Sequence, residues 1–371
     1  MALTQSVKNK KWHAPLVGNE RGARVGNEMK TYKNLYPAIC EFSNIHCAYL
    51  KARQGKRFKP DVLKFSAQLE ENLINIHNHL VWKSYRPSPY NYFTIYEPKE
   101  RLIAALPFVD RVAQHALCNI IEPIHDRSMI SDSFACRKNK GVLAGVNRTT
   151  QFLRDTHKRW RRVYCLKADV RKFFPSVHHA TMKKIIRRRI SCPDTLSLID
   201  TIIDVPGADV GLPIGSLTSQ IWANAYLDQL DHFVKDRLRV QYYIRYMDDF
   251  IILCDDKAAL RRILMDVTGY LENELQLKLN KKTQIFPLSA RNIDFLGYRI
   301  WPSHRLLRKG NVIRTRRKFA KFSRLYGRRE LNLSDIHPSI MSWLGHANHA
   351  DTYRLRSKML PAIILIRRAS I

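Results

Sequence analysis

Apolar residues recur along this chain with two different periods. In "DVLKFSAQLEENLINIHNHLVW", residues 61–82, Leu63, Phe65, Leu69, Leu73, Ile76 and Leu80 fall at helical spacing and predict one helix. "YNYFTIYEPKERLIAAL", residues 90–106, reads as two strands around an EPKE turn, a hairpin. "DRVAQHALCNIIEPI" follows, with Val112, Ala116, Ile120 and Ile124 four apart and Asp110 as the expected N-cap. Val163–Val170 is a mostly apolar run that ends near Asp169, so a buried strand is expected there. A Gly/Pro loop, "GLPIGS", then leads into a long helix with a stripe of Leu227, Leu230, Val234 and Leu238. "YYIRYMDDFIILC", residues 242–254, reads as strand, turn, strand, and short strands continue through "FLGYRIW". Residues 1–50 show no clear period before Tyr32. The mixture predicts an α+β fold.

Charge changes the picture. The 371 residues include 64 Lys+Arg against 32 Asp+Glu, a formal net charge of +32, while 45% of residues are hydrophobic. A chain with that much apolar content builds a core, in roughly two to three domains. Its charge then speaks of partners, and a polyanion such as nucleic acid comes first. No apolar run has membrane-spanning length and the N-terminus is polar, so a soluble cytoplasmic protein is expected. The seven cysteines form no CxxC pair, which argues against a zinc site or a disulfide framework; Cys118, Cys165 and Cys254 read as small buried hydrophobes. Residues 299–329 carry twelve Lys/Arg and no Asp or Glu, interleaved with Trp301, Phe319, Phe322 and Tyr326. That pattern suits a groove that tracks a nucleic-acid backbone.

Against this background the acids stand out. An isolated Asp-Asp pair is ordinarily a solvated turn. Here Asp248 and Asp249 lie between two apolar runs, and a second apolar strand ends at Asp169. Placed in one sheet, the three carboxylates converge and repel unless a cation intervenes. Mg²⁺ accepts such oxygen ligands, and two such ions can clamp the oxygens of an in-line phosphoryl transfer.

These segments carry a resemblance. "YMDD" between strands and "LKADVRKFFPSV" resemble the two carboxylate motifs of reverse transcriptases. "GLPIGSLTSQIWANAYLDQLD" is similar to their template and nucleotide motif, and "EPKERLIAALPFVDRVAQHAL" and "DSFACRKNKG" to their finger motifs. With "FLGYRIW" these occur in order over residues 85–305. "PIGSLTSQ", "VDRVAQHALCNI" and "FLGYRIWPSHRLLRK" resemble more narrowly the reverse transcriptases of diversity-generating retroelements. Those of group II introns and retroviruses usually carry Gln where this chain has Ile214.

The resemblance implies a right-hand polymerase fold. It divides as a basic N-terminal extension (1–60), fingers (61–158), a palm with an antiparallel sheet carrying the YMDD hairpin (159–300) and a short helical thumb (301–371). It implies an RNA-directed DNA polymerase using two Mg²⁺ ions, held by Asp169, Asp248, Asp249 and the Val170 backbone. It places Lys99, Arg101, Arg137, Phe174, Ile214 and Lys282 at the incoming nucleotide, with Phe174 under the sugar to exclude a 2′-hydroxyl. It puts Ile214, Gly215, Ser216 and Gln220 near the template, and Arg308, Lys309, Arg314, Arg316, Arg317 and Lys318 along the nucleic-acid backbone. Ile214 cannot make the hydrogen bond that Gln makes, so low fidelity is expected there. The implied partners are a template RNA, the RNA–DNA hybrid, dNTPs and an accessory variability protein, typically a homo-pentamer. The implied setting is a bacterial, archaeal or phage-encoded protein making adenine-mutagenised cDNA. The alternatives are a group II intron-like or CRISPR-associated reverse transcriptase and a non-catalytic RNA-binding scaffold. About seventy residues follow "FLGY", little room for maturase and endonuclease domains. An intact acid set argues against the scaffold.

Overall fold

A computed structural model describes residues 31–96, 100–204 and 208–367. The chain enters through α1 (Tyr36–Cys40), α2 (Phe42–Ala52), α3 (Pro60–Ala67) and α4 (Leu69–Val81). The single helix expected over 61–82 is broken at Gln68, whose backbone (φ −122°, ψ 51°) leaves the helical region. The segment before residue 60 is also more than an extension. Ile39, Ile45 and Ala48 are fully buried, and Asn44 donates to the Ala116 carbonyl across the core. Of the expected basic lead, residues 1–30 lie outside the described residues.

The hairpin follows as β1 (Asn91–Ile95) and β2 (Arg101–Ala105), antiparallel, with Ile95 opposite Arg101. Next is α5 (Phe108–Asp126), which begins earlier than the sequence pattern indicates. Pro107 precedes its first residue, and Asp110 lies inside the helix instead of capping it. Asp110 is buried and accepts from the Tyr85 hydroxyl (2.9 Å) and the Ser88 N–H. Then come α6 (Val142–Arg159), β3 (Tyr164–Asp169), α7 (His179–Arg187), α8 (Pro193–Ile203) and α9 (Leu217–His232). Four of the expected stripe positions behave as the period requires: Leu227, Leu230 and Val234 are buried and Leu238 packs against the same core.

The expected strand, turn and strand are β4 (Tyr243–Tyr246) and β5 (Asp249–Cys254). After α10 (Lys257–Glu274), β6 (Gln284–Pro287) completes a four-stranded sheet in the order β4-β5-β3-β6. Its alternating residues feed two cores. Leu166, Ala168, Phe250 and Ile252 face the side of α5, α9 and α10; Cys165, Ile244, Ile251 and Leu253 face the side of α6. The sheet is thus covered on both faces, and its chemistry is confined to one end. A small antiparallel sheet, β7 (Ile293–Phe295), β8 (Tyr298–Ile300) and β9 (Arg305–Leu307), follows. The closing helices are α11 (Lys309–Gly327), α12 (Leu333–Ala347) and α13 (Tyr353–Met359). Because β9 pairs with β8, the helical part begins at Lys309, not at residue 301. No helix among the described residues is long and apolar enough to cross a membrane.

One polar group ties the β4–β5 hairpin to the rest. Arg245 and Asp231, from β4 and α9, are both completely buried (0% side-chain exposure). Arg245 Nε and Nη2 reach Asp231 Oδ1 (2.7 Å) and Oδ2 (2.6 Å), a two-pronged pair. The Tyr243 hydroxyl also donates to Asp231, and Arg245 Nη1 donates to the Met247 carbonyl (3.0 Å) in the turn. Removing one partner strands the other charge in the core, which costs about 3–5 kcal/mol. Arg245→Leu is therefore expected to lower unfolding stability by about that amount in urea titrations. A loss below about 1 kcal/mol would show that the pair is incidental to the fold.

Candidate active site

The site is built at the end of β3 and β5. Their antiparallel register sets Asp169 directly opposite Asp249, and the Val170 N–H donates to the Asp248 carbonyl (3.2 Å). Asp248 itself lies in the two-residue turn Met247–Asp248, between the paired Tyr246 and Asp249. Met247 adopts a positive φ of 55°, which a bulky residue tolerates only where its surroundings enforce it. Arg245 supplies that enforcement through the Met247 carbonyl. All three carboxylates are half-buried.

Electrostatics follow from that convergence. Burial pushes the Asp248 carboxyl up to about 6, with the negative charges of Asp249 and Asp169 adding to the effect and Arg101 opposing it. This is the environment that a divalent cation relieves. Among the described residues no group of three or more His, Cys, Asp or Glu is arranged as a metal site. Asp169, Asp248 and Asp249 offer only carboxylate oxygens, the donor type that a hard divalent ion such as Mg²⁺ accepts. Val170, next in the chain to Asp169, is buried.

The nucleotide candidates separate. Arg101 opens β2, is exposed, and its charge is felt at Asp248. Lys99 lies outside the described residues. Arg137 is not presented to a ligand. Its side chain is 8% exposed and bonds Asp126 Oδ1 (2.6 Å) and the carbonyls of Asp126, Ile130 and Ser133, so it braces the end of α5. The spacing of "RKNKG" could not reveal this, because Asp126 is eleven residues away across a turn. Phe173 is buried in the core, whereas Phe174, on a short 3₁₀ turn reached through Lys172 (φ 45°), keeps part of its ring open. Lys282 is exposed.

The loop before α9 is stitched to the hairpin. Ala104 N–H donates to the Ile214 carbonyl (2.9 Å). Gly215 has φ 125°, and a Cβ there would sit 2.9 Å from the Ala104 carbonyl, so only glycine fits. Ser216 is buried and bonds Gln114 Oε1 (3.0 Å), which Thr218 shares (2.9 Å). Ser216 is thus a loop anchor and not an open template contact. Ile214 and Gln220 are half-buried. Of the backbone candidates, Lys309, Arg314, Arg316, Arg317 and Lys318 are exposed on α11, while Arg308 is paired with Asp294 at 2.5 Å.

Sequence reasoning missed Asn280, Gln114 and the Arg245–Asp231 pair. A signal existed for the last: an Arg between strand tyrosines, and acids (Asp228 and Asp231) inside an apolar helical stripe, imply buried partners. Nothing in the spacing of Asn280 marks it.

The family model described as reverse transcriptase (RNA-dependent DNA polymerase) matches residues 96–300. Protein YkfC of Escherichia coli strain K12 is 26% identical over 66% of this chain and 73% of its own length. The retron Ec73 reverse transcriptase of Escherichia coli is 28% identical over 56% of this chain and 64% of its own. The apo telomerase structure from Candida tropicalis, truncated from its C-terminal domain, aligns with a TM-score of 0.47 at 12% identity, over 62% of this chain and 59% of that one.

The raised Asp248 carboxyl makes a stability prediction. Its folded value lies above its unfolded one, so the stabilisation from its proton is full below about pH 4 and is lost as pH rises through about 6. In metal-free protein, Asp248→Asn should therefore be more stable than wild type at pH 7.5 by about 2 kcal/mol. The two should converge near pH 4. Equal stabilities at both pH values, by chemical denaturation, would exclude the strain.

Proposed function

From the premise that the chain belongs to the reverse transcriptase family, we propose that it is an RNA-directed DNA polymerase that extends a primer on an RNA template. The observation that carries this reading is the register of Asp169 against Asp249, with Asp248 in the adjoining turn and Arg101 acting on it. In the reaction the primer 3′-oxygen forms a bond to the α-phosphorus of a dNTP, and the bond to pyrophosphate breaks. Asp169, Asp248, Asp249 and the Val170 carbonyl would hold two Mg²⁺ ions, which when bound supply activation of the 3′-hydroxyl and neutralisation of the triphosphate. Arg101 and Lys282, with Lys99, hold the triphosphate charge. Phe174 lies beneath the sugar and excludes ribonucleotides. The exposed cations of α11 follow the hybrid's phosphates.

The finer reading is a diversity-generating retroelement enzyme, copying a template-repeat RNA into adenine-mutagenised cDNA with a pentameric accessory protein. What supports it is the PIGSLTSQ loop: Ile214 puts an aliphatic side chain where a hydrogen-bonding Gln would select nucleotides. The likeness to a retron reverse transcriptase favours a second reading, a retron-like or intron-like enzyme of ordinary fidelity.

The test is dNTP incorporation on a primed RNA template with Mg²⁺, followed by product sequencing. Asp248→Asn should abolish incorporation although it stabilises the fold. Wild-type errors should cluster opposite template adenine, and Ile214→Gln should reduce them about tenfold. Even errors across the four template bases would favour the retron-like reading. Absence of incorporation, with the RNA and accessory protein supplied, would leave only a binding role.

A further inference from the structure

The loop around Leu279–Thr283 closes over the end of β3, and Asn280 uses three polar groups to do it. Its backbone N–H donates to the Asp169 carbonyl (2.7 Å). Its side-chain Nδ2 donates to Asp169 Oδ2 (3.0 Å), and its Oδ1 accepts the Lys282 N–H (3.1 Å). The last bond fixes the direction of the amide. Turned over, it would set oxygen against the Asp169 carboxylate and N–H against the Lys282 N–H. The same loop is held to the strand on its other side by the Arg171 N–H, which donates to the Lys278 carbonyl (2.8 Å).

We propose that Asn280 is a positioning residue of the carboxylate centre: it holds the Asp169 side chain in the orientation from which that carboxylate receives a divalent cation. The inference rests on the polymerase reading for its consequence, but not for its geometry. Asp169 stands directly opposite Asp249, so repulsion turns its carboxylate away unless something restrains it. A neutral donor suits the task. It restrains one oxygen while leaving the charge in place, whereas a lysine there would compete with the ion. The neighbouring Lys281 and Lys282 are exposed, and it is Asn280 that reaches back to the acid.

Two substitutions separate this role from a merely structural one. Asn280→Ala removes both side-chain bonds. Asn280→Asp keeps the acceptor for the Lys282 N–H, and with it the turn, but cannot donate to Asp169. In the full-length protein, Asn280→Ala should bind Mn²⁺ about 10–100-fold more weakly by electron paramagnetic resonance. Its half-saturating Mg²⁺ for dNTP incorporation should rise in parallel, while dNTP KM at saturating Mg²⁺ stays within about twofold. Asn280→Asp should lose incorporation with a melting temperature close to wild type. Unchanged Mn²⁺ affinity in Asn280→Ala would overturn the proposal, as would wild-type incorporation by Asn280→Asp, which would reduce Asn280 to a turn former. Weakened Mn²⁺ binding in Asn280→Ala, in a protein whose wild type incorporates no dNTP, would uphold the positioning role and reject the polymerase reading.

Discussion

The buried pair between Arg245 and Asp231 is the constraint on which the site depends. Neither charge has access to water, so neither persists in the core without the other. The pair links a helix, α9, to a strand, β4. Arg245 extends the link to the turn through the Met247 carbonyl, and its backbone joins the 132–134 segment through the Asp132 carbonyl and the Phe134 N–H. The position of the hairpin is therefore all or none. A softer, apolar contact would let the strand slide, and a one-residue slip would send Asp249 away from Asp169.

What this rigidity permits is a deliberate concentration of like charge. Burial raises the Asp248 carboxyl, and the neighbouring charges of Asp249 and Asp169 add to that cost. The sheet tolerates it because both of its faces are packed and its register is fixed elsewhere. The cost and the chemistry are linked: a cation beside Asp248 would offset both the burial of its charge and the repulsion from its neighbours. This small acidic focus belongs to a strongly basic chain. The two halves of the charge pattern are complementary in sign, as the proposed reading requires of a protein that gathers phosphates and acts on one of them.

The hairpin and the loop before α9 are also coupled. Gly215 comes against the Ala104 carbonyl, and Gln114 on α5 receives both Ser216 and Thr218. Ile214 thus sits on backbone held by β2 and α5 together. Its main chain is therefore fixed from two sides, and its side chain remains half-buried.

Much of this was legible in the residue order. Apolar runs around turn residues marked the hairpins and β3, and helical spacing marked α9, because side chains of one element must share a face whatever they pack against. Asp169, Asp248 and Asp249 stood out because charge inside apolar runs needs a reason. The break at Gln68, the early start of α5 and the burial of α1 and α2 were not legible; each depends on packing partners distant in the chain. The same holds for function. Arg137 looks like any cation of a basic chain until Asp126 is folded beside it, and Asn280 looks like a loop residue until β3 ends beneath it. The sequence by itself determined which chemistry is present, since that depends on residue types and their spacing. Only the tertiary structure decided which cations face the acids and which brace the fold, because a hydrogen bond is set by distance and direction, and those arise between segments.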